Sequence, residues 1–180
     1  KKRENDNIVD VVTAEDIGKF PDSNLAESLQ RIPGVSIDRD AGEGRNITIR
    51  GLGSDFTRVR INNIEALATT GGTDSSGGNN RSRGFDFNVF ASELFQSITV
   101  RKSNSADVEE GSLGATVDLQ TSRPFDFKGF QSMVSVKGGY NDVTGNIDPR
   151  AAFLLSNTFA DRTIGVLVSG AISQRHVLEE

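Results

Sequence analysis

One histidine and no cysteine leave this chain of 180 residues little with which to do bond chemistry. His176 has no serine or acidic partner in a recognisable motif, so neither a nucleophilic triad nor a histidine-centred metal site is spelled out. Asp107, Glu109 and Glu110 put three carboxylates on a glycine-rich turn, a run that is more commonly a solvated loop than a cation site. Gly42-Glu43-Gly44 imitates a phosphate loop but lacks the third glycine and the following helix. The expectation is no catalytic residue, no metal, no cofactor and no enzyme activity.

The composition narrows the remaining classes. Without cysteine there is no disulfide or thiolate chemistry, and the compartment is left open. The 20 basic and 25 acidic residues give a net charge of -5, and the sole basic cluster is Lys1 to Arg3, which is no nucleic-acid footprint. No run of about 18 apolar residues is present, so no transmembrane helix is expected, and the charged start is not a signal peptide. The length suffices for one domain, or for one domain and part of another.

The elements that must position any site fall into two textures. Up to Phe127 the pattern is mixed and holds 15 basic and 20 acidic residues; from Lys128 there are 5 of each. In the first part Ile8 to Ala14 reads as a β-branched strand. A helix opens at Asn24, with Glu27 at capping-box spacing, buries Leu25, Leu29 and Ile32, and ends at Pro33-Gly34. "NITIRG" (46–51) and "RVRINNI" (58–64) alternate as strands around a turn with Gly53 and Asp55, and imply a small mixed sheet. Residues 71–84 contain five glycines and no apolar side chain, as a surface loop would. A second short helix is expected over 88–97 with Phe90 and Leu94 inward, then strands over 97–102 and 115–121.

From Lys128 the alternation lengthens. Phe130, Val134, Val136 and Tyr140 share one face of the first run; Phe153, Leu155 and Phe159 share a face of the second; Ile164, Val166, Val168 and Ile172 share a face of the third. Runs of about 10 residues with a small or polar opposite face suit tilted strands crossing a bilayer. A long connector over 141–149 and a tight turn at Asp161-Arg162 would give the loop asymmetry of an outer-membrane barrel. A soluble antiparallel sheet with one buried face follows the same alternation. Three strands cannot close a barrel, which takes about eight, so under the membrane reading the chain is a fragment.

Two stretches carry a resemblance. "LAESLQRIPGV" followed by "ITIRG" and "INNIEA", and then "LFQSITVRK" with "EEGSLGATVDLQTSRP", resemble the plug domain of TonB-dependent outer-membrane receptors. The match covers residues 8–127, and the remaining 53 residues fit the first barrel strands. At Arg101-Lys102-Ser103 the chain departs from the Arg-Gly-Pro of many members; with "GFDFNVFASELF" this resembles the Xanthomonas/Caulobacter-type branch, often linked to carbohydrate uptake. The implied fold is an α+β plug with a small mixed sheet and two short helices over 1–127, followed over 128–180 by three antiparallel strands of an incomplete transmembrane β-barrel.

The resemblance also implies roles. Such a plug occludes its barrel, senses ligand and rearranges when TonB, driven by an inner-membrane motor, pulls on a periplasmic segment. That makes the partners TonB, an extracellular small-molecule or oligosaccharide ligand and outer-membrane lipid, with no nucleic acid, and the location the outer membrane. "NIVDVVTA" reads as the first plug strand rather than the coupling box, because Asp10 breaks its apolar run and a helix follows closely. Apical loops are expected at Ser54, Asp55, Phe56 and Arg58 and over 67–85. There Asn79, Asn80, Arg81 and Arg83 offer hydrogen bonds, and Phe85, like Phe56, offers a ring to a sugar. Arg50, Arg60 and Arg101 are expected plug-to-barrel contacts, with an exposed strand-edge arginine as the plainer reading of each. The implied cargo is a carbohydrate, with an iron-siderophore complex as the alternative; a soluble plug-like binding module is the reading outside transport.

Overall fold

The computed structural model describes residues 8–13, 24–40, 43–67, 83–87, 90, 92–103, 106, 109–141 and 145–174. The chain divides into two compact units, Lys1–Thr121 and Ser122–Glu180.

In the first unit, strand β1 (Val9–Thr13) is followed by helix α1 (Leu25–Leu29). Asn24 caps α1: its Oδ1 accepts from the Glu27 backbone N–H at 3.1 Å, while its Nδ2 donates to the Gly44 carbonyl at 2.8 Å. The Glu27 carboxylate accepts from Arg39 at 3.2 Å. The helix is a little over one turn long and ends at Leu29 with Gln30 as its C-cap, before the expected Pro33-Gly34 stop, so Ile32 is buried from the following turn, in which Gly34 takes φ +79°. Proline cannot continue the ladder, and glycine accepts the left-handed conformation without a Cβ clash.

Strands β2 (Val35–Asp40) and β3 (Glu43–Ile49) form a separate hairpin, with Val35 opposite Ile49 and Ile37 opposite Ile47. The sequence reading assigns no strand to Val35–Asp40 and sends the 46–51 strand into the same sheet as 58–64. The structure differs because β2 leaves Gly34 directly with its own alternation, and so supplies the partner β3 needs. A larger sheet takes β1, β4 (Thr57–Ile61), β5 (Ile64–Glu65), β6 (Phe95–Arg101) and β7 (Ala115–Thr121) in the order β1-β6-β7-β4-β5. Only β4 and β7 run parallel. Asn62 and Asn63, at φ 51° and 67°, make the two-residue turn between β4 and β5 that asparagine tolerates.

A bulge in β6 decides which residues reach the core. Between Phe95 and Ser97 the pairing with β7 skips one residue, so Phe95, Ile98 and Val100 all face inward despite their uneven spacing. They meet Val117 and Leu119 of β7, Val59 of β4, Leu25 and Leu29 of α1, and Ile47 and Ile49 of the hairpin. Where a second helix was expected over 88–97, the described residues hold one 3₁₀ turn, Ser92–Leu94, and β6 begins at Phe95. Phe90 and Leu94 do pack against the core.

The second unit is an antiparallel meander of β8 (Gln131–Asn141), β9 (Asn146–Phe159) and β10 (Ile164–Ser173). Val134, Val136, Tyr140, Phe153, Leu155, Val166, Val168 and Ile172 are all exposed, whereas Ala152, Leu154 and Ser156 are buried. Alternation is thus realised as an apolar outer face. The expected long connector is absent: Gly138 pairs with Pro149 and Asn141 with Asn146, so Pro149 lies inside β9. Residues 142–145 and 160–163 connect the strands, two links of equal length. Glycine serves close approach at Gly165, where a Cβ would lie 2.7 Å from Pro124 and 3.1 Å from the Phe125 ring.

Candidate functional site

Topology gathers several strand ends at one edge of the larger sheet. The parallel strands β4 and β7 both start there, at Thr57 and Ala115, and the antiparallel neighbours β5 and β6 end there, at Glu65 and Arg101. The 3₁₀ turn Ser54–Phe56 leads into β4, and the Phe56 carbonyl accepts from Gly114 N–H at 3.0 Å. Gly114 has little room for anything larger, since a Cβ would stand 3.2 Å from that carbonyl oxygen.

At this edge a cleft of about 30 Å³ is lined by Asp55, Thr57, Arg58, Glu65, Arg83 and Gly111, among others. The Asp55 carboxylate accepts from the Arg83 backbone N–H at 2.7 Å, which fixes the segment after the glycine-rich stretch beside the 3₁₀ turn. Arg58 is the centre of the charge arrangement. Its Nη2 meets Glu65 at 2.7 Å and Glu109 at 3.1 Å, and its Nη1 donates to the Glu110 carbonyl at 2.7 Å. The hydrogen bond to Glu65 raises the guanidinium above its ordinary pKa; burial opposes this, and Glu109 adds to the rise. Two glutamates therefore already neutralise the arginine. Thr57 Oγ1 and Arg58 Nε are buried without a hydrogen-bond partner among the described residues. The cleft has room for a water or a hydroxyl beside the Arg58 cluster.

The site expected from sequence is assembled only in part. Asp55, Arg58 and Arg83 converge on the cleft, with Ser54 and exposed Phe56 on the adjoining turn. Asn79, Asn80 and Arg81, expected beside them, lie outside the described residues, as do Asp107 and His176. Phe85 also borders the cleft, but its residue is only 3% exposed. Its ring packs edge-on against Phe87 at 4.9 Å and parallel to Phe90 at 5.9 Å. The expectation that it offers a ring face to a ligand is corrected accordingly: the Phe87 N–H bonds to the Arg45 carbonyl and draws this aromatic segment into the core. Glu109 and Glu110, read as a solvated acidic run, hold Arg58 by a side chain and a backbone carbonyl respectively. Among the described residues no group of three or more His, Cys, Asp or Glu side chains is placed to hold a metal.

The three further arginines differ. Arg60 Nε donates to Asp118 Oδ1 at 2.5 Å and Arg101 Nε to Asp118 Oδ2 at 3.0 Å. The Asp118 hydrogen bond raises the Arg60 guanidinium, against the opposing effect of burial. Both therefore have an acid within their own sheet. Arg50 is exposed, takes φ 56°, and sends its backbone N–H to the Gly34 carbonyl. Sequence reading missed Asp118, although a carboxylate in the middle of "ATVDLQT" interrupts an otherwise buried strand. It also noted Asp10 as a break in an apolar run without finding its partner, Lys102, at 2.7 Å.

The comparisons with known proteins converge. Residues 1–116 match the family described as "TonB-dependent Receptor Plug Domain". A ferric enterobactin receptor of Pseudomonas aeruginosa is 29% identical over 119 residues, which are 63% of this chain and 16% of that receptor. Among solved structures, a mutant of the P. aeruginosa ferric enterobactin receptor PfeA superposes with a TM-score of 0.74 at 23% identity, covering 96% of this chain and 25% of the other. The siderophore receptor PirA of Acinetobacter baumannii gives 0.69 at 23% identity, over 92% and 24% of the two chains. A hemophore receptor, HasR of Serratia marcescens, gives 0.68 at 16% identity, over 93% and 24%. The chain thus spans a quarter or less of these relatives, and at such identities the superpositions establish the fold.

Proposed function

Because the chain belongs to the plug-domain family of TonB-dependent receptors, we propose that it is the plug and first barrel strands of a ligand-gated importer in a Gram-negative outer membrane. In this reading residues 1–127 occlude the barrel and 128–180 begin its wall. TonB pulls the N-terminal segment from the periplasm, and the plug rearranges to admit ligand. The observation that carries the proposal is the plug match over 1–116 with, from Gln131 on, three long strands that expose a row of large apolar side chains, among them Val134, Val136, Phe153, Leu155, Val166 and Val168. Lipid is the natural solvent for that face, since strands cross a bilayer with outward residues apolar and inward residues polar or small.

For cargo we infer an iron-siderophore complex or a related iron chelate. The support is the relatives, whose names describe ferric enterobactin and siderophore receptors. The carbohydrate expectation rests on the Arg101-Lys102-Ser103 departure and is the second reading. In either case the turn at Ser54–Phe56, with Arg58 and the loop over 67–85, buried Phe85 aside, is the ligand-facing part.

Growth and uptake decide between these. Deleting the coding region in the native host and supplying either radiolabelled ferric catecholate siderophore under iron limitation or oligosaccharides as sole carbon source should abolish one uptake and spare the other. If both uptakes persist and the protein fractionates away from the outer membrane, the importer reading fails.

A further inference from the structure

Among the described residues strand β1 lies at the edge of the five-stranded sheet and pairs as a strand with β6, from Val9 opposite Arg101 to Thr13 opposite Ser97. It has just two buried apolar side chains, Val9 and Val12. Such a strand would ordinarily fray, yet three bonds tie Ile8 and Asp10 to the Lys102 segment, and a fourth ties Lys102 to the α1 turn. Lys102 N–H donates to the Ile8 carbonyl at 2.9 Å, and the Ile8 N–H donates to Ser103 Oγ at 2.8 Å. The Lys102 ammonium donates to Asp10 Oδ2 at 2.7 Å and to the Pro33 carbonyl at the end of the α1 turn. Both charged residues are buried, Lys102 at 9% exposure and Asp10 at 7%. A glycine at position 102 could make neither side-chain bond.

We propose that Lys102 is a latch: the Lys102–Asp10 pair holds β1 on the sheet, and β1 detaches as a unit, ahead of the remaining strands, when that pair opens. Lys102 and Asp10 are both buried, so separating the two charges breaks a direct bond in a site shielded from water, which costs more than fraying of an exposed strand end. Release is therefore a discrete local opening rather than fraying from the end. The central strands β6, β7 and β4 are bonded on both sides and carry most of the core, so they remain. The functional meaning rests on the importer reading: Ile8 to Asp10 form the N-terminal end of β1, so tension from the preceding chain reaches these bonds before the rest of the ladder. Lys102 then sets the threshold at which pulling begins to open the plug.

Hydrogen exchange with mass spectrometry on the full 180-residue chain in detergent micelles tests the latch without assuming transport. Lys102→Met is expected to speed exchange of residues 9–13 about 100-fold while residues 115–121 stay as slow as in the parent. Unchanged exchange in β1, or equal acceleration of β1 and β7, overturns the proposal. Should Lys102→Met not fold, Asp10→Asn keeps the shape and one acceptor oxygen and is expected to give about a 10-fold increase confined to β1; no increase overturns the latch equally. A second arm uses the complete receptor and the absence of native cysteines in this chain. Val11→Cys with Thr99→Cys, register partners on β1 and β6, would bridge the two strands. Uptake lost on oxidation and regained on reduction supports detachment, and uptake intact with the bridge formed overturns it. If the parent receptor imports nothing, the importer reading has failed, and the exchange experiment still decides the latch.

Discussion

Arg60 and Asp118 stand 58 positions apart in sequence and directly opposite each other across the only parallel pair of the sheet, with Arg60 Nε 2.5 Å from Asp118 Oδ1. The second oxygen of the same carboxylate binds Arg101 on the other neighbouring strand. One buried acid thus ties β4, β7 and β6 together on the face opposite the apolar core. Thr116, also buried on β7, shares a hydrogen bond with Ser112 at 2.9 Å, so the polar side of the central strand is satisfied from within the unit.

Asp118→Ala should be among the most damaging single changes to the first unit. It leaves two guanidiniums without their acid in a half-buried place, at a cost of about 3 kcal/mol. Arg60→Met should cost less, because Asp118 keeps Arg101. Urea unfolding followed by circular dichroism checks the order, and equal effects of the two changes would contradict the shared-carboxylate arrangement.

Much of this framework was legible in the sequence because it is local. The Asn24 cap, the turn at Pro33-Gly34 and the apolar alternation of the last three strands are each set by residues within a few positions of one another, although the helix itself ends earlier, at Leu29. What escaped depends on distant partners. The inward turn of Phe85 follows from aromatic neighbours and from the Phe87 bond to β3, and the β6 bulge breaks the parity that a strand reading assumes. The roles of Asp118 and Lys102 appear only once strands far apart in sequence are set side by side. The site was legible to the same degree: Asp55, Arg58 and Arg83 converge, but Glu65 and Glu109, which neutralise Arg58, carry no signal in a single sequence.

Gly44, read from sequence as half of a false phosphate loop, is a packing glycine. A Cβ there would lie 2.6 Å from Ile37 and 3.1 Å from Ala26, between the hairpin and α1. Gly44→Ala should therefore destabilise the chain by about 1–3 kcal/mol through overpacking. Asn24→Ala, which removes both the helix cap and the bond to the Gly44 carbonyl, should cost about 2 kcal/mol. Since the two sites touch, the double variant should fall short of the sum; thermal melts of the four proteins test this.

Arg58→Gln should cost about 1 kcal/mol or less, because its glutamate partners are 52% and 67% exposed and water screens the pairs. The pH dependence of that difference follows from the sign of the shift. The folded-state pKa of Arg58 is raised, so its contribution is complete below the unfolded guanidinium value and is lost only as pH rises through the folded one. The gap between parent and variant should accordingly be the same at pH 7 and pH 9. A gap that closes by pH 9 would assign the effect to another group.

The turn between β9 and β10 places three successive non-glycine residues in the left-handed region, Ala160 at φ 49°, Asp161 at 52° and Arg162 at 65°. Each such residue carries a steric cost of about 1 kcal/mol, from which the extra freedom of glycine in the unfolded chain subtracts part. Ala160→Gly should therefore stabilise the second unit by about 0.5 kcal/mol, since the exposed methyl makes no contact worth keeping. Arg162→Gly removes the same strain but also the bond from its Nη2 to the Phe125 carbonyl at 2.9 Å, which anchors the turn to the 3₁₀ segment Pro124–Asp126. The two effects are of similar size, so no gain is expected at position 162. Thermal unfolding in detergent micelles should raise the midpoint for Ala160→Gly alone; a matching rise for Arg162→Gly would mean that the Phe125 bond contributes nothing and that backbone strain is the only term.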